Sequence, residues 1–320
     1  MDSSNRLLRF ALVAILLFAA LLVFAIVTAI FQPGLLNLDL SSGDESTPSL
    51  ESDVSFEAAD KTPLDANCSY PQAIDASAQL ARCIERANTN PDATTLELAG
   101  DLLLTSALPA IDSEIVLQGN SFIIDGGGEH RLFDVSNTGR LTIISAILQN
   151  GSGSKGGAIR NLGQLEIMES KILSNTAVSG GGIYNGSGGR VQITASQLSG
   201  NTGVFGGGGL YNEGEGAEVQ VANSQFDENA SPNAGGGAVA NLDGAGLLIT
   251  KTHFISNSAS FHGGAIYNTT AGIVRLSGVI LMGNTAVESS GGAISNSDNG
   301  STVILVSSSV ISNTGVRISR

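Results

Sequence analysis

The feature that most constrains the fold is a pair of short motifs that alternate from about residue 141 to residue 313. The first motif is Gly-Gly, then Ala or Gly, an apolar residue, a variable residue and Asn. Its Asn recurs at intervals of 24 to 29 residues, at Asn161, Asn185, Asn212, Asn241, Asn268 and Asn296. The second motif has two apolar residues two positions apart, then usually Ser or Thr, another apolar residue and Asn. Copies of the second motif end at Asn175, Asn201, Asn229, Asn257, Asn284 and Asn313, and an earlier copy, one residue shorter, ends at Asn150.

The period of these motifs predicts a parallel β-helix. Within each period the apolar residues alternate two positions apart, which is typical of strands rather than helices. One period cannot enclose a core, but a coiled chain whose equivalent strands stack in register does so. We therefore expect an all-β fold, a single right-handed parallel β-helix over residues 92–320, with glycines at its corners. The two sets of Asn are expected to point inward as ladders in which each amide bonds to its equivalent one coil away.

The rival interpretation of the repeats is a series of separate hairpins. That arrangement would place an Asn-Gly turn between most pairs of strands. The pair Asn-Gly occurs in the repeat region only at Asn150, Asn185 and Asn299, which favours the parallel β-helix.

The uncharged apolar segment 10–31 predicts a transmembrane helix. Its 22 residues would form a helix of about 33 Å, enough to cross a hydrocarbon core. A cleavable signal peptide has a shorter apolar region and a pair of small residues at its exit, which this segment lacks. We therefore favour a retained single-pass anchor, with secretion after signal cleavage as the alternative. Because Arg6 and Arg9 precede the segment, residues 1–9 are expected in the cytoplasm and the repeats outside it.

Two further segments precede the repeats. Residues 32–66 contain three Pro and seven acids before the first base, Lys61, and they are predicted to be a disordered linker. Residues 67–91 predict a short amphipathic helix that caps the first coil, because an uncapped coil would expose its apolar interior. The helix face expected to be buried comprises Ile74, Ser77, Ala78, Ala81, Ile84 and Ala87.

The chain has two cysteines, Cys68 and Cys83, both in or beside the predicted cap. Outside the cytoplasm they could form a disulfide that closes a short loop. Two inert buried thiols are the alternative, since spacing alone does not establish connectivity. His253 and His262 lie in one period without a third ligand nearby in sequence, so we interpret them as surface histidines rather than metal ligands. The sequence predicts no metal site and no cofactor.

The balance of charge bears on the partners of the protein. The chain carries 15 basic and 29 acidic residues, for a formal net charge of −14. Such a chain cannot neutralise a run of phosphates, which argues against a nucleic-acid partner.

The repeats resemble those of a known family. Four segments carry the resemblance, each of the form GGAI or FxxN: 226–229, 254–257, 263–266 and 291–294. They are similar to the repeats of chlamydial polymorphic outer-membrane proteins and of related β-helix surface proteins. Upstream, residues 80–88 end in Ala-Asn and resemble the start of bacterial β-helices of the CSLREA type. The resemblance covers about 80–313 and implies a bacterial surface β-helix, without implying a particular activity.

One cluster of side chains could carry chemistry. It comprises Asp125, Glu129, His130, Arg131 and Asp134. Two carboxylates and a histidine could perform acid–base catalysis on a polysaccharide. We favour the alternative that Asp125 is a turn residue in a glycine-rich corner, because no second coil supplies matching carboxylates.

The variable residue before the Asn of the first motif is Tyr at Tyr184, Tyr211 and Tyr267. If the Asn points inward, this position points outward, and Tyr184 and Tyr211 would stack on adjacent coils about 4.8 Å apart. A row of exposed tyrosines could bind sugar rings or a partner protein. The alternative, which we favour because Ala240 interrupts the row, is packing across coils that only stabilises the sheet.

The sequence therefore predicts a non-enzymatic, membrane-anchored surface β-helix that presents an extended face for adhesion or ligand binding. The expected partners are the membrane, through the N-terminal helix, and carbohydrate or another surface protein. The alternative is a polysaccharide-acting β-helix enzyme, either a lyase or a glycoside hydrolase. A carboxylate cluster spread over adjacent coils would favour the enzyme, and the sequence shows no such cluster.

Overall fold

The computed structural model describes residues 76–90, 92–289, 291–298 and 300–315. The predicted cytoplasmic N-terminus, transmembrane helix and linker lie outside the described residues, and so does Cys68. Within the described ranges, no helix is long and apolar enough to cross a membrane.

The described residues form an all-β parallel solenoid of the right-handed type. Each full coil contains four short strands, one in each of four sheets, and every pairing between described strands is parallel and joins equivalent strands of successive coils. The predicted parallel β-helix is confirmed, and the hairpin interpretation is wrong. Stacking in register explains the fold, because it gives each strand two neighbours and encloses the inward apolar side chains.

We number the sheets 1 to 4 in chain order within a coil. Among the described residues, sheet 1 contains nine strands: Thr94–Glu97, Glu114–Gln118, Arg140–Ile144, Gln164–Met168, Arg190–Thr194, Glu218–Ala222, Gly246–Thr250, Ile273–Ser277 and Thr302–Val306. Sheet 2 contains nine in the described ranges: Leu102–Leu103, Ile123–Asp125, Ile147–Gln149, Lys171–Leu173, Gln197–Ser199, Gln225–Asp227, His253–Ile255, Ile280–Met282 and Ser309–Ile311.

The other two sheets begin later along the chain. In the described part of the chain, sheet 3 contains seven strands: Ser152–Lys155, Thr176–Ser179, Thr202–Gly203, Ala230–Ser231, Ser258–Ala259, Thr285–Ala286 and Thr314–Gly315. Sheet 4, over the same residues, also contains seven: Phe133–Val135, Ile159–Asn161, Ile183–Asn185, Leu210–Glu213, Val239–Leu242, Ile266–Asn268 and Ile294–Asn296.

In the seven coils from Arg140 onward, single left-handed residues form the first two corners, with φ between 46° and 66°. The corner from sheet 1 to sheet 2 is formed by Ser145, Glu169, Ala195, Asn223, Lys251, Gly278 and Ser307. The corner from sheet 2 to sheet 3 is formed by Asn150, Ser174, Gly200, Glu228, Ser256, Gly283 and Ser312. The left-handed conformation costs a non-glycine residue about 1–2 kcal/mol. Closure of the coil therefore imposes the turn on residues that do not favour it.

The corner from sheet 3 to sheet 4 explains the Gly-Gly-Ala-apolar motif. Gly263 has a φ of 64°. Gly264 lies so close to the next coil that an added Cβ would stand 2.2 Å from the carbonyl oxygen of Gly292. Ala265 and Ile266 follow and are buried in the core. At this corner the prediction that glycines provide a left-handed turn and a close approach is confirmed.

The first predicted ladder is confirmed. The Nδ2 of each Asn donates to the Oδ1 of the equivalent Asn on the next coil, at 2.7–2.9 Å. The ladder runs through Asn161, Asn185, Asn212, Asn241, Asn268 and Asn296. All but Asn296 are fully buried. At the first coil, the Oδ1 of Asn161 is buried and has no hydrogen-bond partner among the described residues.

The second ladder is confirmed from Asn175 onward. Its members are Asn175, Asn201, Asn229, Asn257, Asn284 and Asn313, joined by Nδ2 to Oδ1 bonds of 2.8–3.0 Å. Asn150 was expected in this ladder, and that expectation is wrong. The strand pairing places Ile147 opposite Lys171, so Asn150 occupies the left-handed corner and Gly151 the ladder position. The Gly151 N–H donates to the Asn175 Oδ1 at 2.7 Å.

The hydroxyl residues of the second motif form a third ladder that sequence reasoning did not assign. The backbone N–H of one coil donates to the hydroxyl oxygen of the next, as from Ser170 to Ser196 and from Ser196 to Ser224, both at 3.1 Å. Each hydroxyl donates in turn to the backbone carbonyl two residues before it. The Ser196 hydroxyl, for example, donates to the Thr194 carbonyl at 2.8 Å. Val279 stands at one position of this ladder and has no hydroxyl to offer.

One α-helix, Ser77–Ala87, precedes the first strand among the described residues. Its buried residues are Leu80, Cys83, Ile84 and Ala87, and they join the core of the solenoid. The predicted buried face was correct for Ile84 and Ala87 but wrong for Ala78, which is exposed, because the helix packs through Leu80 and Cys83 instead. Cys83 is disulfide-bonded, and its predicted partner Cys68 lies outside the described residues.

Candidate ligand-binding groove

A surface groove with a volume of about 460 Å³ runs along the corner between sheets 1 and 2. Its first wall holds the left-handed corner residues Glu169, Ala195, Asn223 and Lys251. Its second wall holds the first residue of each sheet 2 strand: Lys171, Gln197, Gln225 and His253. Between the walls lie the buried ladder residues Ser170, Ser196 and Ser224. We call this feature the corner groove.

The register of sheet 2 places the second wall in a straight row. Lys171 pairs with Gln197, Gln197 with Gln225, and Gln225 with His253. The same register aligns Ile147 with Lys171 and Ile280 with His253. The polar row therefore spans four successive coils and is bounded by an isoleucine at each end.

Lys171 and Lys251 are exposed, and among the described residues neither side-chain ammonium group has an ion-pair or hydrogen-bond partner. Two other cations of the solenoid form ion pairs. Lys155 lies 2.9 Å from a Glu213 carboxylate oxygen. Arg190 lies 3.6 Å from Glu218. The corner groove thus holds free positive charge in a chain whose net charge is −14.

The side-chain amides in the middle of the groove differ in their hydrogen bonding. Gln197 donates to Asp227 at 2.8 Å. Within the described part of the chain, the side chains of Asn223, Gln225 and His253 have no hydrogen-bond partner. Their donors and acceptors are therefore available to a ligand that lies along the groove.

The tyrosine row predicted as a possible ligand face is largely covered. Tyr184 is only 4% exposed. Its ring stacks on the ring of Tyr211 of the next coil, with ring centroids 5.9 Å apart. Glycines of the loops between sheets 3 and 4 lie against the rings: an added Cβ at Gly206 would stand 2.8 Å from Tyr211, and one at Gly235 would stand 2.9 Å from Tyr267. The rings therefore pack across coils and against these loops, rather than forming one open face.

A polar network accounts for part of this burial. Lys155 donates to the Tyr184 hydroxyl at 2.7 Å, and that hydroxyl donates to Glu213. Burial would raise the pKa of Glu213, but the hydrogen bonds from Tyr184 and Lys155 outweigh it and hold the pKa below its ordinary value. Burial and the nearby Glu213 carboxylate raise the pKa of Tyr211. This network links three successive coils.

The candidate catalytic cluster is divided between a turn and an ion-pair group. Asp125 accepts hydrogen bonds from the Gly127 N–H, Gln149 and Asn150 at 2.7–2.8 Å. Burial would raise the pKa of Asp125, but these bonds outweigh it and lower that pKa. The turn interpretation of Asp125 is thus supported by its contacts.

Asp134 bonds Arg131 through one carboxylate oxygen and Arg160 through the other, both at 2.8 Å. Arg160 comes from the next coil, where it pairs with Asp134 in sheet 4. Asp134 therefore bonds one arginine of its own coil and one of the next. His130 and Glu129 lie in the turn that follows Asp125, and their backbone N–H groups donate to the Gly126 carbonyl.

The two histidines of one coil have separate surroundings. His253 lines the corner groove. His262 stacks on Tyr267 with ring centroids 5.4 Å apart, and its Nδ1 lies 3.0 Å from the hydroxyl of Ser289. Over the described residues, no group of three His, Cys, Asp or Glu side chains could hold a metal ion.

Sequence reasoning missed the corner groove because it searched for carboxylates and aromatic residues. A signal for it was present in the second motif. The residues on either side of the motif hydroxyl are both polar in three of four successive copies, the exception being Ala195 beside Gln197. Ile147 and Ile280 end this polar run on either side.

The fold and the stacked side chains define a parallel β-solenoid built from Gly-Gly-Ala-apolar and Phe-x-x-Asn repeats. The Chlamydia polymorphic membrane protein repeat matches residues 251–269. That segment contains Phe254, buried in the core, and Asn257 and Asn268, one from each Asn ladder. The match and the solenoid together fit a β-helix surface protein with repeats of the polymorphic membrane protein type. No curated protein and no solved structure matches the chain.

Proposed function

We propose that this protein is a membrane-anchored surface β-helix that binds an extended ligand in the corner groove and catalyses no reaction. The observation that carries the proposal is the groove itself, in which polar side chains line four successive coils and those of Lys171, Asn223, Gln225, Lys251 and His253 have no partner among the described residues. The polymorphic membrane protein repeat supports a place at the cell surface. The apolar segment 10–31 supports a single-pass anchor, and the helix Ser77–Ala87 closes the first end of the core in this proposal.

The carboxylates of the solenoid favour binding over catalysis. Glycoside hydrolysis needs a pair of carboxyl groups that flank the scissile bond. Among the residues that line the corner groove, Glu169 is the one carboxylate. Asp125 and Asp134 are engaged in the turn and in the ion pairs described above. Incubation of polysaccharides with the protein should therefore release no new reducing ends and form no unsaturated products.

Surface display is tested on intact cells that produce the full chain. A protease added outside should cleave the β-helix, while a tag fused before Met1 stays protected until the cells are lysed. The chain should remain with membranes after an alkaline wash, and a variant without residues 10–31 should be released. Cleavage that requires lysis would contradict the proposed location.

Binding through the corner groove is tested by filling it. Gln225→Trp places a large ring between the two walls, and cells that display this variant should lose adhesion to polysaccharide-coated surfaces. Val178→Trp is the matched control, since Val178 is 47% exposed on sheet 3, outside the groove. Equal adhesion by the two variants and the parent chain would show that the corner groove is not the binding face.

A further inference from the structure

We infer that the ligand of the corner groove is an extended anionic glycan that lies along the solenoid axis and spans the four coils from Lys171 to His253. This inference rests on the proposed binding function of the groove and adds the chemical class of the ligand. It is carried by the position of the two free lysines, the spacing of the coils and the polar character of the walls.

The charges of the groove stand at its two ends. Lys171 lies on the first of the four coils, and Lys251 lies on the last, beside His253. Glu169 is also on the first coil, where its carboxylate lies 3.4 Å from the Ser145 hydroxyl. The two middle coils offer neutral groups. Glu169 offsets the charge of Lys171 on the first coil, whereas Lys251 on the last coil has no carboxylate beside it among the groove residues. A ligand that fits this pattern bears negative groups that reach the two lysines and hydroxyls between them.

Lysines are concentrated in the corner groove. The chain contains four lysines, and two of them line the groove although acidic residues outnumber basic ones almost two to one. An exposed lysine that forms no ion pair attracts anions without first breaking one. The groove is therefore better suited to an anionic ligand than to a neutral one of the same length.

The repeat distance favours a sugar chain over a peptide. Equivalent residues on successive coils are about 4.8 Å apart, so the three steps from Lys171 to His253 span about 14 Å. An extended chain of pyranose rings advances by a similar distance with each sugar. Side chains on one face of an extended peptide recur about every 6.8 Å, so they fall out of phase with the coils. The walls, moreover, offer amides and charged groups rather than pockets for apolar peptide side chains.

The test is calorimetric titration of the full-length protein in detergent micelles. The probes are tetragalacturonate, the neutral cellotetraose and the acidic peptide tetraglutamate. Tetragalacturonate should bind most tightly, and its affinity should fall with added salt. Lys171→Gln and Lys251→Gln should each weaken it about three- to fivefold, as expected for one exposed charge contact. Arg82→Gln, on the helix and outside the groove, is the control and should leave the affinity unchanged.

Each contrary result identifies what has failed. Equal affinity for cellotetraose and tetragalacturonate, with no effect of the lysine variants, overturns the anionic class but leaves binding in the groove. Tighter binding of tetraglutamate overturns the glycan class. Absence of binding by all three probes overturns the whole inference, while the adhesion of cells with Gln225→Trp decides the proposed function separately. Unchanged melting temperatures of the lysine variants show that they are folded.

Discussion

The side-chain amide of Asn229 donates to the Oδ1 of Asn257, 3.0 Å away on the next coil. It also donates to the carbonyl of Leu198 at 2.9 Å. Its Oδ1 accepts from the Nδ2 of Asn201 at 3.0 Å and from the backbone N–H of Asn201 at 3.1 Å. Four hydrogen bonds thus meet on one fully buried side chain.

Replacement of this side chain should be costly. Asn229→Ala leaves the two donors of Asn201 and the Leu198 carbonyl without partners, and we expect a loss of about 3 kcal/mol in the free energy of unfolding. Urea denaturation of the two proteins measures the difference. Asn233→Ala is the control, because Asn233 is exposed, and its effect should stay within about 0.5 kcal/mol. Equal stability of Asn229→Ala and the parent would show that the ladder contributes nothing net.

Val279→Thr should stabilise the protein. The added hydroxyl has nearly the volume of the methyl it replaces. It stands opposite the Thr252 N–H, as the Thr252 hydroxyl stands opposite the Ser224 N–H and the Ser308 hydroxyl opposite the Val279 N–H. It can also donate to the carbonyl of Ser277, as the other ladder hydroxyls do two residues before themselves. We expect a gain of about 1 kcal/mol in the free energy of unfolding.

Val274→Thr is the matched comparison for that substitution. Val274 is fully buried in sheet 1, outside the hydroxyl ladder. The same change there should destabilise the protein by about 1–3 kcal/mol, because it buries a hydroxyl in the apolar core. A loss of stability in both variants would refute the assignment of Val279 to an interrupted ladder.

Two glycines should respond to alanine in opposite ways. Gly264→Ala would place a Cβ 2.2 Å from a carbonyl oxygen of the neighbouring coil, and we expect a loss of about 3 kcal/mol or more. Gly246 lies in a strand, and the atom nearest to an added Cβ would be the Cγ of Glu218 at 3.9 Å. Gly246→Ala should raise stability by about 0.4–1 kcal/mol, because alanine restricts the unfolded chain. Thermal denaturation of the pair provides the measurement, and similar melting temperatures would contradict it.

Acid should weaken the network around Glu213. Although burial acts to raise its pKa, hydrogen bonds from Tyr184 and Lys155 lower it below the ordinary value of 4.5. A carboxylate with a lowered pKa in the folded state stabilises the fold above the unfolded value, and this contribution is lost as the pH falls through the folded value. The parent protein should therefore lose more stability than Glu213→Gln between neutral pH and a pH well below 4.5. Parallel melting curves for the two proteins across that range would rule out this role.

The sequence was sufficient to predict the elements whose residue types are dictated by the repeat. Asn212 and Asn257 recur because a stacked amide both donates to and accepts from its equivalents along a buried row. Gly264 recurs because no side chain fits beside the next coil. Chemistry of this kind leaves a fixed residue type at a fixed position, so the period and both ladders could be recognised.

Other features have no fixed residue type. The first corner accepts Glu169, Ala195 and Lys251 alike, because closure of the coil determines its φ and the side chain points to solvent. The position of Asn150 could not be resolved without the strand register, since a shift of one residue exchanges the ladder for the corner. The burial of Tyr184 depends on loops whose path over sheet 4 follows from no local pattern.

The unpartnered Oδ1 of Asn161 has a consequence for how such coils can join. In both ladders every amide donates toward the later coil, so the side-chain dipoles add up and the two ends of each row are chemically different. At the early end of the first ladder, the Asn161 Oδ1 is an acceptor without a donor. At the other end, the last amide presents N–H donors. A further coil could continue the rows only in the same direction. The early end lies inside the solenoid, because Val135 stands at the equivalent position of the preceding coil. Two copies that met through their last coils would oppose donor to donor, so the rows disfavour a twofold-symmetric junction at that end.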